Sequence, residues 1–319
     1  MTAIQPRRSA WLAYTVLAIL LWGIWGIVSK LAEKELPPAT IQVISTAGVV
    51  LPILLLLLSP RVKAGKDFLA GGAAAFGVGL TASAGNLAML YSFKNGGEAS
   101  TVLPLTSMFP LVTIVLAVLL LGERINWMQA AGIVVALVAF YLFGLLAAGA
   151  PSEAAARPWY EKIMTRWMAY AIVALVLWGV AAVLQKVATN RISTELSTVL
   201  FALAFVPVAV VLALKEPIRW QISAHAWMLA ILFGAMIGIG SLVLFAAYRD
   251  GKASIVTALY SLYPAVTVVL AKPLLGESIN KVTWAAIILA LIAGVMLSYE
   301  TPAVPVPVAE SAASEAGAR

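Results

Sequence analysis

Cysteine is absent from all 319 residues, which excludes disulfide bonds and thiolate metal sites and leaves the compartment open. Histidine occurs once, as His225, and charged residues make up only 11% of the chain, against about 25% in soluble domains. A membrane-embedded enzyme would need a cluster of His, Asp or Glu or an activated nucleophile, and the acidic residues here are scattered at the ends of apolar runs. A channel would need a polar ring or a continuously polar lining, which runs this apolar do not supply. No apolar run carries Asp, Glu or His near its middle, the usual equipment of an intramembrane proton relay. The connections leave no room for a catalytic or nucleotide-binding domain; the longest internal one, 151–166, has space for an interfacial turn with Trp159 and Tyr160 at headgroup level.

What is present in quantity is apolar. Residues of this kind make up 62% of the chain and mean hydropathy is +0.99, the signature of an integral membrane protein. Ten uncharged runs reach the roughly 18 residues a helix needs to cross a hydrocarbon core: 11–28, 36–58, 68–93, 99–122, 125–150, 167–185, 196–214, 226–248, 253–271 and 282–299. The first is long and belongs to a repeat, so it reads as a span and not as a cleaved signal peptide.

The chain also contains itself twice. Residues 97–126 and 251–280, at a shift of 154, are identical at 18 of 30 positions without a gap. The match extends to the start of each copy, where LWGIWGIVSK (21–30) resembles LWGVAAVLQK (177–186) at a shift of 156. A period this long is beyond solenoid repeats and makes each copy a multi-helix bundle. Five spans per copy is an odd number, so a linker that does not cross forces the second copy to enter with the opposite orientation. The expected fold is all-α, ten transmembrane helices as two five-helix inverted repeats, an arrangement that recurs among secondary transporters. The boundaries read as 1–150 for the first repeat, 151–166 for the linker, 167–299 for the second repeat and 300–319 for a Pro/Ala/Ser tail expected to be disordered.

A net charge of +7 on this background points to lipid headgroups and not to nucleic acid. With the N-terminus inside, ten Lys and Arg fall on the inner connections and ten on the outer ones, so the positive-inside rule selects no orientation. The expected partners are the bilayer and a small-molecule substrate, with no cofactor and no metal; the oligomeric state stays open, a monomer included.

The ten-span duplication, the LWG near the start of each copy (Leu21–Gly23, Leu177–Gly179), the proline of the fourth span (Pro110, Pro264) and the Gly-Glu that closes it (Gly122-Glu123, Gly276-Glu277) resemble an EamA-type member of the drug/metabolite transporter superfamily. That resemblance covers nearly all of residues 11–299. It implies both termini in the cytoplasm, placement in a bacterial inner membrane, a central cavity lined mainly by helices 1, 3, 4, 6, 8 and 9, and export of amino acids or related small metabolites by alternating access. The related small multidrug resistance proteins have a glutamate in the first helix; this chain has none there, which favours facilitated export over proton antiport of that design. A channel or an embedded enzyme ranks far below a transporter.

Candidate residues follow. Pro110 and Pro264 interrupt the backbone ladder of an intramembrane helix, as a packing kink or as part of a gate. Gly122-Glu123 and Gly276-Glu277 read as tight turns with a helix-capping carboxylate at the interface. Lys30 and Lys186 occupy matching positions at span ends, either as cavity charges for an anionic group or as snorkelling lysines. Asymmetric polar and aromatic residues mark the cavity: Trp22, Trp25 and Trp178 beside the glycines of spans 1 and 6, Asn86 in span 3, Gln185 beside Lys186, Ser241 in span 8, and Tyr260 and Tyr263 in span 9. A buried amide or phenol in lipid needs a partner, so these face helices, water or substrate more often than acyl chains. The Gly/Ser run of span 3 (Gly71, Gly72, Gly77, Gly79, Ser83, Gly85) and Gly234, Gly238 and Gly240 of span 8 read as close helix packing.

Overall fold

The computed structural model describes residues 10–121, 125–147, 164–250, 256 and 259–299. Among the described residues it is all-helical, with a single isolated bridge between Gly65 and Ile192. Eight helical stretches are long and apolar enough to cross a bilayer, and Tyr263–Leu275 and Lys281–Leu297 are shorter apolar helices. The chain is an integral, multi-pass membrane protein.

In the first half the helices are α1 (Ala10–Glu35), α2 (Pro38–Leu54, continued by a 3-10 turn to Leu58), α3 (Phe68–Lys94), α4 (Ala99–Thr106), α5 (Pro110–Leu121) and α6 (Trp127–Ala147). In the second they are α7 (Arg166–Thr189), α8 (Thr194–Leu203), α9 (Phe205–Lys215), α10 (Ala224–Asp250), α11 (Tyr263–Leu275) and α12 (Lys281–Leu297). Side-chain caps fix several starts: Asp67 accepts from the Ala70 amide at 3.0 Å, Ser193 from Leu196 at 3.2 Å and Asn280 from Thr283 at 2.9 Å. The seventh apolar run is two helices, broken at Ala204. Pro207, three residues on, has no N–H for the Leu203 carbonyl and its ring crowds it, so the ladder restarts.

The two halves interleave. The most extensive pairings are α1 with α10 and α3 with α7, then α2 with α10 and α3 with α8, α1 with α11 and α5 with α7, and α6 with α12. Each pairing becomes its neighbour when the sequence repeat is applied, and α6 with α12 maps onto itself. The ends also match: Lys30, near the close of α1, donates to the Phe93 carbonyl at 3.1 Å, and Ser92 donates to the carbonyl of Trp167, at the start of α7, at 2.8 Å. Thus α7 begins at the end of the bundle where α1 finishes.

Close crossing is possible because small residues sit at the contacts. A Cβ on Gly79 would run into the Phe201 carbonyl and one on Gly234 into the Ser45 carbonyl, the same contact made once by each half. Large apolar side chains with no protein cover, such as Leu51, Leu55, Leu119, Val134, Leu137, Leu214 and Val269, face outward, as a hydrocarbon solvent allows.

Candidate functional site

A cavity of about 230 Å³ lies where the two halves meet. Its wall includes Trp22 and Trp25 of α1, Asn86 of α3, Trp178 and Gln185 of α7, Ser241 of α10, and Tyr260 and Tyr263 at the entry to α11. The structure therefore brings together eight of the ten residues expected at a binding site and leaves out Lys30 and Lys186. Among the described residues no charged side chain lines this space.

The aromatic rings form one connected surface. Trp25 stacks on Phe233 at 5.5 Å and lies 6.2 Å from Trp178; Trp22 meets Trp25 edge-on at 5.4 Å and Tyr260 at 6.4 Å; Tyr260 stacks on Tyr263 at 5.5 Å. Such geometries hold rings rigidly and add about 0.5–1.5 kcal/mol per pair beyond area burial. Among the described residues the indole N–H groups of Trp22 and Trp25 are buried with no acceptor, a cost the packing of the rings must offset. Gln185 donates to Ser197 at 3.3 Å.

The prolines act differently from a kink in a continuous helix. α5 starts at Pro110, after a turn over Ser107–Phe109, and Pro264 is the second residue of α11. A proline at the first turn gives up an amide that has no partner there in any case, and it disfavours helical backbone in the residue before it. At the first break Phe109 donates to the Thr106 carbonyl at 3.1 Å, occupying the acceptor that Pro110 cannot serve. The residue before each proline, Phe109 or Tyr263, lines the cavity. Phe109 escaped the sequence reading although it is the repeat-mate of Tyr263; Phe201, also in the wall, carried no signal, because its mate is Ser45.

The LWG glycines bind the halves together. Thr267 donates to the Gly23 carbonyl at 2.7 Å, and Thr113 donates to the Gly179 carbonyl at 3.2 Å. Each threonine lies three residues beyond a motif proline, so the shared motifs of one half grip the shared motifs of the other.

Glu277 corrects the interfacial-cap expectation. Gly276 does form the turn: with φ +72° it ends α11 in the left-handed region, its amide reaching the Lys272 carbonyl at 3.1 Å. The carboxylate of Glu277, however, is buried and caps a helix of the other half, accepting from the Ala99 and Ser100 amides at 2.7 and 2.8 Å. A charged acceptor on two orphan amides at a helix N-terminus is a strong contact. Glu98 lies beside it, and burial first, then the Glu277 charge, pushes its carboxyl above the usual range, against a smaller lowering by Lys30. Gly122 and Glu123 lie outside the described residues.

Lys30 is neither a cavity charge nor a snorkelling lysine. Its ammonium holds Glu33 at 3.2 Å and the Phe93 carbonyl at 3.1 Å, 5.2 Å from the Phe93 ring centre. A partly buried ammonium needs these partners. Lys186, its repeat-mate, is exposed and also stands outside the cavity wall. Of the span-3 and span-8 glycines, Gly85 lies against the Trp178 ring and Gly240 against the Trp22 ring.

Comparison with known proteins agrees with this architecture. The model of the EamA-like transporter family matches residues 9–145 and 165–299. A "Probable amino-acid metabolite efflux pump" of Escherichia coli (strain K12) is 28% identical over 183 residues, 51% of this chain and 58% of the relative. An uncharacterized protein of Methanocaldococcus jannaschii is 41% identical over 69 residues, 22% of this chain and 50% of that one. The chain thus spans about half the length of the curated relatives it matches. A crystal structure sharing 20% identity superposes with a TM-score of 0.59 over 91% of this chain and 97% of the other, a likeness of fold alone. With two matched segments that together take in most of its length, both apolar and both contributing to one central cavity, the chain belongs to the EamA-like transporter family and so to the drug/metabolite transporter superfamily.

Proposed function

We propose that this transporter moves amino acids or related small metabolites out of the cell by alternating access around the central cavity. The observation that carries this reading is the cavity itself: both halves build it from matching positions, and it lies at their junction, where transporters of repeated architecture hold substrate. Its volume of about 230 Å³ is below the 300–1,000 Å³ typical of drug-sized sites, which suits a small metabolite. Trp22, Trp25, Asn86, Trp178, Gln185, Ser241, Tyr260 and Tyr263 are the proposed contacts. The rings supply faces for an apolar or cationic part of the substrate. Pro110 and Pro264 shape the wall through the helix starts they impose.

The proposed topology is ten spans as inverted repeats, 1–150 and 167–299 around a linker at 151–166. Support comes from the pairing of helices under the sequence repeat and from α7 starting where α1 ends. Both termini are assigned to the cytoplasm of a bacterial cell, with the chain in the inner membrane. The lack of charge in the described cavity wall favours facilitated export, and the sequence composition argues against an embedded enzyme.

The deciding experiment is counterflow into proteoliposomes with a pooled amino-acid and metabolite mixture read by mass spectrometry. Saturable uptake of a small metabolite, reduced by Trp25→Ala at normal insertion, is the expected result. Ohmic current in place of saturable counterflow would replace the transporter reading with a channel.

A further inference from the structure

Each half contributes one tryptophan at its LWG motif, and each of these rings lies with its pyrrole part against a glycine of the opposite half. An ideal Cβ on Gly85 of α3 would come 2.5 Å from Trp178 Nε1 and 2.6 Å from its Cδ1, and one on Gly240 of α10 would come 3.1 Å from Trp22 Nε1 and 3.2 Å from its Cε2. The arrangement is duplicated: Trp22 and Trp178 are repeat-mates at a shift of 156, Gly85 and Gly240 at 155. Both tryptophans line the cavity, and neither glycine does. The ring therefore stands between glycine and cavity, and anything added at the glycine pushes it inward.

We propose that Gly85 and Gly240 set the size of substrate the transporter accepts, by allowing the Trp178 and Trp22 rings to recess into the opposite half. This rests on the reading of the cavity as the transport site and deepens it. The physical case is one of displacement. Trp178 has little freedom to evade a methyl group by turning along the wall, because its ring already abuts Trp25 at 6.2 Å and well-packed rings transmit strain instead of absorbing it. An added methyl group takes roughly the share of one water, ~30 Å³, out of a cavity of about 230 Å³. The two positions are unequal. At Gly85 the contact lies below any real Cβ distance, so the ring or its helix must shift, the ring being the group in contact; at Gly240 a few tenths of an ångström suffice. Gly85 therefore dominates. Gly72, on the same helix with its nearest atom at 3.6 Å, has room for a methyl group and serves as the control.

The cysteine-free chain allows a direct measurement. In the full-length protein carrying Ala82→Cys, a position in the cavity wall, the rates of modification by ethyl and benzyl methanethiosulfonate are compared. Gly85→Ala should lower the benzyl-to-ethyl ratio by about tenfold, the discrimination a pocket shows for one methylene group. Gly240→Ala should lower it less, and Gly72→Ala should leave it unchanged. Trp178→Phe, a smaller ring, should raise the ratio, and does so independently of how well Gly85→Ala inserts. An unchanged ratio in Gly85→Ala, or in Trp178→Phe, overturns the proposal. Counterflow of alanine against phenylalanine then separates the two levels. A shift of preference toward alanine in Gly85→Ala is expected; a narrowed cavity with unchanged preference would sink the transport reading on which the proposal rests, while leaving the glycine geometry standing.

Discussion

Lys30 and Lys186 occupy the same place in two copies of one sequence and live in different surroundings. Lys30 is partly buried, bound to Glu33 and the Phe93 carbonyl, at an end where all of α4 is buried. Lys186 is exposed, with Thr189 and Asn190 exposed beyond it. The paired threonine contacts differ in the same sense: 2.7 Å from Thr267 to Gly23, 3.2 Å from Thr113 to Gly179. Duplication supplies matched parts, and the fold uses them unequally. At the Lys30 end Val28, Ala32, Leu90, Phe93, Val102 and Leu103 are all buried and pack in one cluster with Trp25.

The largest effect should come from cutting the cap. Glu277→Ala leaves the Ala99 and Ser100 amides buried without an acceptor, which costs about 1–3 kcal/mol per unsatisfied group, and should lower the midpoint of thermal unfolding in detergent by several degrees. Glu277→Gln keeps one acceptor oxygen and should lose less. A Glu277→Ala protein as stable as wild type would remove the cap from the account of the Lys30 end.

Next in size is the threonine pair. Thr267→Val removes the shorter of two matched hydrogen bonds and should cost about 0.6–1 kcal/mol, with Thr113→Val costing less. Equal losses would mean that the difference in length has no energetic counterpart. The lysines sharpen the contrast through accessibility: a cysteine at Lys186 should react with a small polar thiol reagent much faster than one at Lys30. Because both lysines stand outside the cavity wall, Lys30→Gln should reduce stability more than Lys186→Gln, and neither should change which substrate is preferred in counterflow.

The smallest effect concerns Glu98. A carboxyl held above its usual range in the fold binds more protons folded than unfolded, so its contribution is most favourable in acid and is lost as pH rises through the raised value. Stability should therefore fall slightly from mildly acid toward neutral pH, and Glu98→Gln should flatten that slope. A slope of the opposite sign would refute the burial argument.

Eight apolar spans, the duplication and eight residues of the cavity wall were legible in the residues because each is written locally. A span is a length of apolar chain, and an aromatic or amide inside one has few places to point. What escaped was long-range. The partner of Glu277 lies 177–178 positions away, and nothing near Gly276-Glu277 distinguishes a cap on its own helix from one on another. Lys30 was ambiguous because a lysine at a span end has the same local sequence whether it reaches for headgroups or for Phe93. The broken fourth and seventh runs kept their apolar character throughout, so hydropathy saw one helix where proline makes two.

The Lys30–Glu33 pair has a consequence that lies in populations. If the two copies were identical, the state open to one side and the state open to the other would be mirror exchanges of the same contacts, equal in energy and equally occupied. Glu33 has Thr189 as its repeat-mate, so the second copy has no carboxylate at the position that matches Glu33. Under the proposed alternating access, divergence between the copies would lift that degeneracy: each 1.4 kcal/mol of difference shifts the two states by about tenfold, so mismatched residues between the halves would set the resting orientation.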